Sequence, residues 1–336
     1  MTMNRTRTKY MGVKIIAGPF ALVVMFAISL LFGAADISGR DVWLALTSHV
    51  TNDDITKLRE LRIPREVAAM LVGSALGVSG AIMQGLTRNP LADPGLLGLT
   101  AGANAALAFT VALLPGVNFY GIMVACFIGA GLGTLMVLGV SALKKGALSP
   151  LRLLLAGSAV SAFLYAFADG IGLLFKVSKN VTMWTAGGLI GTTWGQIQII
   201  APCIIVGIIV AIFFSRQLTI LSLNEEAAIG LGLRMKYVKI ILHIVITLLA
   251  GAAVALVGNM AFIGLMIPHI VRAMFGIDYR VIIPMSAIWG AIFMLLADTL
   301  GRTIHAPYET PVVAIIAVLG LPFFLFIVRK GVKSIS

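Results

Sequence analysis

Charge is what this chain has least of. Asp, Glu, Lys and Arg make up 11% of its 336 residues, where water-soluble domains carry roughly 25%. Hydrophobic residues supply 60%, and the mean hydropathy is +1.04. A soluble enzyme built around one buried core is excluded by so many near-uncharged stretches. Nucleotide chemistry is missing too: there is no GxxxxGKS/T, and no Gly is followed by Lys, so no P-loop can cradle ATP phosphates. HExxH, CxxC and GxSxG are absent, and His49, His243, His269 and His305 are scattered. Only two cysteines occur, Cys126 and Cys203, both in apolar runs. They read as small buried residues rather than a metal cage. Nothing here points to a cofactor, a resident metal or catalysis.

What is present is a series of long apolar stretches. They fall near 15–34, 66–86, 96–114, 119–142, 152–175, 195–214, 237–256, 260–275, 282–300 and 311–328. The eighth is short and carries Gly264 and Pro268, which predicts a broken helix needing cover from protein or water. The first follows Arg5, Arg7, Lys9 and Lys14 like a signal-peptide n-region, but its apolar part exceeds a usual h-region and reads as an uncleaved membrane helix. The expectation is an all-α integral membrane protein of about ten transmembrane helices. It forms a single transmembrane domain over 1–336, with an extracytoplasmic loop at 35–65 and a cytoplasmic loop at 218–239.

An even number of spans puts both termini on one side. The basic N-terminus and the Arg329, Lys330 and Lys333 tail choose the cytoplasm. Seventeen of the 25 Lys and Arg then lie inside and eight outside, where eight acids balance them. The net charge of +12 thus faces anionic lipid headgroups, and nucleic acid is not needed to explain it. Against this bias, "TKLRELRIPREVAAM" places Lys57, Arg59, Arg62 and Arg65 on the outer side. A solvated loop with interfacial anchors fits, and so does a docking surface for carboxylates, which arginine forks recognise well.

Two stretches echo each other. Gly73, Gly80, Pro90 and Gly98 match Gly251, Gly258, Pro268 and Gly276 at a constant offset of 178. The helices carrying them run in opposite directions, which predicts an inverted repeat relating helices 2–5 to helices 7–10. Asp169 is the clearest ionisable group inside a span, with Asp298 near an outer helix end. Asp169 would be the place to look for a proton relay in a cation-coupled secondary carrier, and a paired group or one near the outer interface accounts for it as well. In the 218–239 loop, Asn224 is suited to cap a short helix beginning at Glu225 and Glu226 and ending at Gly230. Such a helix suits either an inert interfacial element or a handle for a partner.

Six segments taken together are similar to the FecCD family, the iron-siderophore and vitamin B12 permeases of type II ABC importers. They are "LRIPR" at 61–65, "GAIMQGLTRNPLADPGLLG" at 80–98, "LRLLLAGSAVSA" at 151–162, "EAAIGLGL" at 226–233, "AFIGLMIPHIVR" at 261–272 and "LLADTLGR" at 295–302. The resemblance implies a permease that moves a ferric siderophore, with cobalamin or haem as the alternative. It also implies a bacterial cytoplasmic membrane, a second permease subunit (identical or paralogous), an extracytoplasmic binding protein, and two cytoplasmic ATPases that hold the ATP and Mg. Arg62, Arg65 and Arg302 match arginines that meet acidic residues of the binding protein, with Arg59 a nearby base. Asn224, Glu225, Glu226, Ala227, Ala228, Gly230, Leu231 and Gly232 match the segment that docks on the ATPase. Asn89 and Leu91 match one cytoplasmic constriction, and Pro150 and Leu151 fall where the other is expected.

Overall fold

The computed structural model describes residues 2–33, 38–143, 150–185, 188–223, 230, 235–306 and 308–333. No strand occurs among them. The long helices are α1 (Thr2–Leu31), α4 (Ile63–Thr87), α5 (Leu99–Leu113), α6 (Phe119–Ala142), α7 (Pro150–Leu174) and α9 (Trp194–Phe213). The second half adds α11 (Met235–Val257), α12 (Ile263–Phe275), α13 (Tyr279–Thr303) and α14 (Val312–Lys333). Shorter helices are α2 (Gly39–Thr47), α3 (Asp53–Lys57), α8 (Ser178–Thr185) and α10 (Ser215–Leu223). Among the described residues, seven helical segments are long and apolar enough to cross a membrane, and α5, α12 and part of α14 are shorter apolar helices. The chain is therefore a multi-pass membrane protein. Large apolar side chains such as Phe20, Val23, Leu135 and Ile209 point outward, as lipid-facing groups do.

Glycine sets how closely the central helices approach. Gly73 of α4 lies against the Gly290 carbonyl of α13, and Gly77 lies against that of Ser286. A methyl added at Gly73 would overlap the Gly290 backbone. Gly80, seven residues along the same face, meets Gly264 of α12. In hydrocarbon, where apolar burial does not drive helices together, such close packing does. Gly102 of α5 meets Gly129 of α6 in the same way.

The packing partners exchange in pairs. α4 packs on α12 and α13, α11 packs on α5 and α6, and α4 and α11 pack on each other. The residue echo is not the register of this exchange. Gly80 is inside α4 whereas Gly258 lies beyond the end of α11, and Pro90 is in a connection whereas Pro268 is inside α12. The offset of 178 relates similar residues, not equivalent positions.

α12 is short, as Gly264 and Pro268 predict. Its 13 residues extend about 20 Å at 1.5 Å each, less than the roughly 30 Å hydrocarbon core. The backbone before it is irregular, with Gly258 at φ 78° and Phe262 at φ 68°. Pro268 offers no N–H to the Gly264 carbonyl four residues earlier. Gln84 of α4 supplies the missing donor: its Nε2 reaches the carbonyls of Gly264 at 3.3 Å and Leu265 at 3.1 Å. Arg272, one turn beyond Pro268, donates to Gln84 Oε1. One buried amide thus closes both a broken helix and a cation.

The stretch 53–65 is helical rather than a loop. α3 starts at its Asn52 cap and runs through a π-helical turn, Leu58–Arg62, into α4. Pro64 sits in the first turn of α4, where its missing N–H costs nothing.

Candidate functional site

The charge asymmetry names the two ends of the α4–α13 pair, and each end carries an organised polar site. At the outer end, Arg65 holds Asp298 through Nε (3.0 and 3.1 Å) and Nη2 (2.9 Å). Its Nη1 donates to both oxygens of Glu309 at 2.9 Å. Arg302, 3% exposed, pairs with Glu66 and approaches Asp298 at 3.0 Å. Arg62 donates to the Leu30 carbonyl at 2.8 Å, tying in the end of α1. Three arginines and three carboxylates therefore form one balanced cluster, with Glu66 and Asp298 both 0% exposed. Buried charges persist only when paired in this way. A cavity of about 390 Å³ opens beside the cluster, lined by Asp54, Lys57, Arg62, Arg65, Thr192 and Glu309 among others.

The four outer arginines thus separate. The wider π turn breaks the α-helical spacing between Arg59 and the other two. Arg59 donates to the carbonyls of Leu44, Ala45, Ser48 and Val50. It closes the C-terminal end of α2, whose last carbonyls lack intrahelical partners. Arg302 is buried inside the cluster. Both guanidiniums are thus engaged within the protein, Arg59 half-buried against α2 and Arg302 at the inner wall of the cavity. Arg62, Arg65 and, more deeply buried, Arg302 line the cavity. The counterions Glu66, Asp298 and Glu309 were not singled out by sequence as this cluster. The spacing of Asp298 and Arg302, four apart on one helix, was a readable signal for one pair.

Asp169 is exposed on α7, outside the bundle's buried core. Among the described residues it joins no buried charge pair of the kind that holds Asp298.

At the inner end, α10 is clasped to both helices of the pair. Leu218 and Tyr279 pack around Gly85 of α4. Thr219 Oγ1 accepts from the Tyr279 N–H at 3.0 Å and donates to Asp278 Oδ1 at 3.2 Å. Asp278 caps α13 and pairs with Arg280 at 2.8 Å. The hydrogen bond from Arg280 holds the Asp278 carboxyl below the usual carboxylate range. α10 leads into the segment matched to ATPase docking. Asn224, Glu225, Glu226, Ala227, Ala228, Leu231 and Gly232 lie outside the described residues, and Gly230 is exposed.

Asn89 follows α4, whose cap Arg88 is left-handed at φ 51°. Its Oδ1 accepts from Leu91 N–H at 3.0 Å, a side-chain turn that fixes both residues. The following short turn, Pro94–Leu97, packs on α7 where the Leu96 carbonyl lies against Gly157. Pro150 begins α7, and Leu151 is 64% exposed.

The FecCD transport family model matches residues 21–330. The chain belongs to the FecCD transport family. Among relatives, the iron(3+)-hydroxamate import system permease protein FhuB of Bacillus subtilis is 41% identical over 326 residues, covering 97% of this chain and 85% of that protein. The ferric enterobactin transport system permease protein FepD of Escherichia coli is 38% identical, covering 93% and 94%. The hemin transport system permease protein HmuU of Yersinia pestis is 37% identical, covering 92% and 93%. A solved inward-facing metal-chelate type ABC transporter superposes with a TM-score of 0.83 at 25% identity, covering 95% of this chain and 99% of that one. Like its FecCD relatives, this chain is a transport permease.

Proposed function

We propose that the chain is the permease subunit of an ATP-driven importer that carries a ferric siderophore across the bacterial cytoplasmic membrane. The near-full-length likeness to an iron(3+)-hydroxamate permease carries this reading. The chain has no nucleotide-binding loop, so the energy comes from partner ATPases that hold ATP and Mg. Iron arrives already chelated, and the described residues hold no cluster of His, Cys, Asp and Glu suited to a metal. A wide path with few strong contacts suits a bulky chelate that must also be released.

In this reading a second permease subunit, identical or paralogous, completes the path. An extracytoplasmic binding protein delivers cargo to the outer cavity, where Arg62 and Arg65 meet its carboxylates. The segment 224–232 engages an ATPase, and the clasp of Thr219, Asp278 and Tyr279 passes its displacement to α4 and α13. Asn89, Leu91, Pro150 and Leu151 form the cytoplasmic constriction. A haem cargo is the second reading, favoured by the hemin permease among the relatives.

The test is uptake of radiolabelled iron by a strain lacking this gene and by the same strain complemented. Ferric hydroxamate uptake should return with the gene and vanish with vanadate. Restored hemin uptake without ferric hydroxamate uptake would select the second reading.

A further inference from the structure

Arg65 is held from two sides by carboxylates of unequal access. The Asp298 side chain is 0% exposed, while that of Glu309 is 28% exposed and lines the outer cavity. Their mountings differ as well. Asp298 stands on α13 and is shared with Arg302 at 3.0 Å. Glu309 stands on the turn between α13 and α14. That turn is fastened by Tyr308 N–H to the His305 carbonyl and Thr310 N–H to the Gly301 carbonyl, both 2.9 Å. Of the two carboxylates on Arg65, only Glu309 lines the cavity, so a carboxylate arriving from the cavity meets Arg65 on the Glu309 side.

The charge balance favours exchange over addition. With Glu309 in place, Arg62, Arg65 and Arg302 face Glu66, Asp298 and Glu309, and the formal charges balance. With Glu309 swung away the cluster gains one positive charge, which one incoming carboxylate cancels. A fourth carboxylate beside all three acids would instead leave an excess charge in a poorly solvated place, which is costly.

We propose that Glu309 is an internal stand-in for an acidic side chain of the docking protein. It occupies the Arg65 position while the permease is undocked, and the partner's carboxylate displaces it on docking. This rests on the reading that an acidic binding protein docks at the outer cavity, and it adds a competitor that keeps docking reversible.

The experiment uses the intact importer in lipid nanodiscs and its binding protein loaded with ferric hydroxamate. Affinity is measured for the wild type, Glu309→Gln and Arg62→Glu. Glu309→Gln keeps the side-chain shape and removes the competing charge, so docking should tighten by up to about fivefold. Arg62→Glu should weaken it. A second measurement needs no change at Glu309: a spin label at Tyr308, 72% exposed, introduced as Tyr308→Cys in a Cys203→Ala background. The label should gain mobility when the loaded binding protein docks. If Arg62→Glu weakens docking while Glu309→Gln leaves it unchanged or weaker, the exchange is overturned and the docking reading stands. If Arg62→Glu also has no effect, both fall. Should Glu309→Gln fail to fold, an unmoved label in the Glu309-bearing protein overturns the exchange, and a mobilised one supports it.

Discussion

Replacing Gln84 with Leu keeps the side chain's size and removes every hydrogen bond it makes. The Gly264 carbonyl, denied a helical donor by Pro268, loses its substitute, and Arg272 loses an acceptor. Interhelical hydrogen bonds in membranes average about 0.6 kcal/mol and reach about 1.7, whereas one to a charged group is worth about 1.5–3 kcal/mol. Gln84→Leu should therefore cost roughly 2–4 kcal/mol, with the Arg272 contact the larger share. Pro268→Ala returns an N–H to the Gly264 carbonyl. In the wild type that gain is redundant, and in the Gln84→Leu background it should recover about 1 kcal/mol, so the two changes are not additive. Cys126 is fully buried and Cys203 only partly. A thiol-reactive dye in a Cys203→Ala background thus reports unfolding through Cys126 alone. The midpoint should drop by on the order of 5 °C in Gln84→Leu and partly return in the double variant. A Gln84→Leu protein as stable as its parent, or strictly additive effects, would refute the account of the broken helix.

The outer arginines should divide by burial. Arg62→Glu and Arg65→Glu should weaken binding-protein docking in a folded permease, while Arg302→Glu, set beside Glu66 and Asp298, should abolish stable membrane levels; an intact, docking-deficient Arg302→Glu protein would contradict the buried assignment. At the inner end, Ala228→Pro should keep outer docking and lose ATPase co-purification or stimulated hydrolysis, since the sequence suits 225–230 to a short helix, in which proline would cost about 3 kcal/mol. Ala228→Ser should be mild, and wild-type transport by the proline variant would make the segment a passive connector. Asp278, its carboxyl lowered by Arg280, contributes fully above the ordinary carboxylate value and loses its contribution only as pH falls through the lower folded value. The stability gap between wild type and Asp278→Asn should stay flat from pH 8 to 5 and close only below about pH 4; closure near neutrality would refute the assignment.

Hydropathy made the long helices legible because each membrane span must carry its own apolar length, and the ten apolar stretches fall on α1, α4–α7, α9 and α11–α14. Gly264 and Pro268 announced a short, broken helix, but nothing local announced that Gln84, 180 residues away, would complete it. The outer cluster shows the same limit. Asp298 and Arg302 share a helix face and were readable as a pair, whereas Arg65 meets Asp298 and Glu309 across 233 and 244 residues. Arg59, Arg62 and Arg65 look alike in sequence. A single π turn sends the first to the α2 carbonyls and leaves the other two at the cavity. Nothing local in the sequence marks Glu66, and only the approach of α13 to α4 through Gly73 and Gly290 makes it Arg302's counterion.

The most direct test of the central claim is transport by the purified importer in proteoliposomes, with the binding protein charged with radiolabelled ferric hydroxamate on the permease's outer side and ATP supplied to the ATPases. The account predicts vectorial movement of the chelate that requires ATP hydrolysis, stops with vanadate and persists in Asp169→Asn. Accumulation driven by a pH gradient without ATP, and lost in Asp169→Asn, would contradict it.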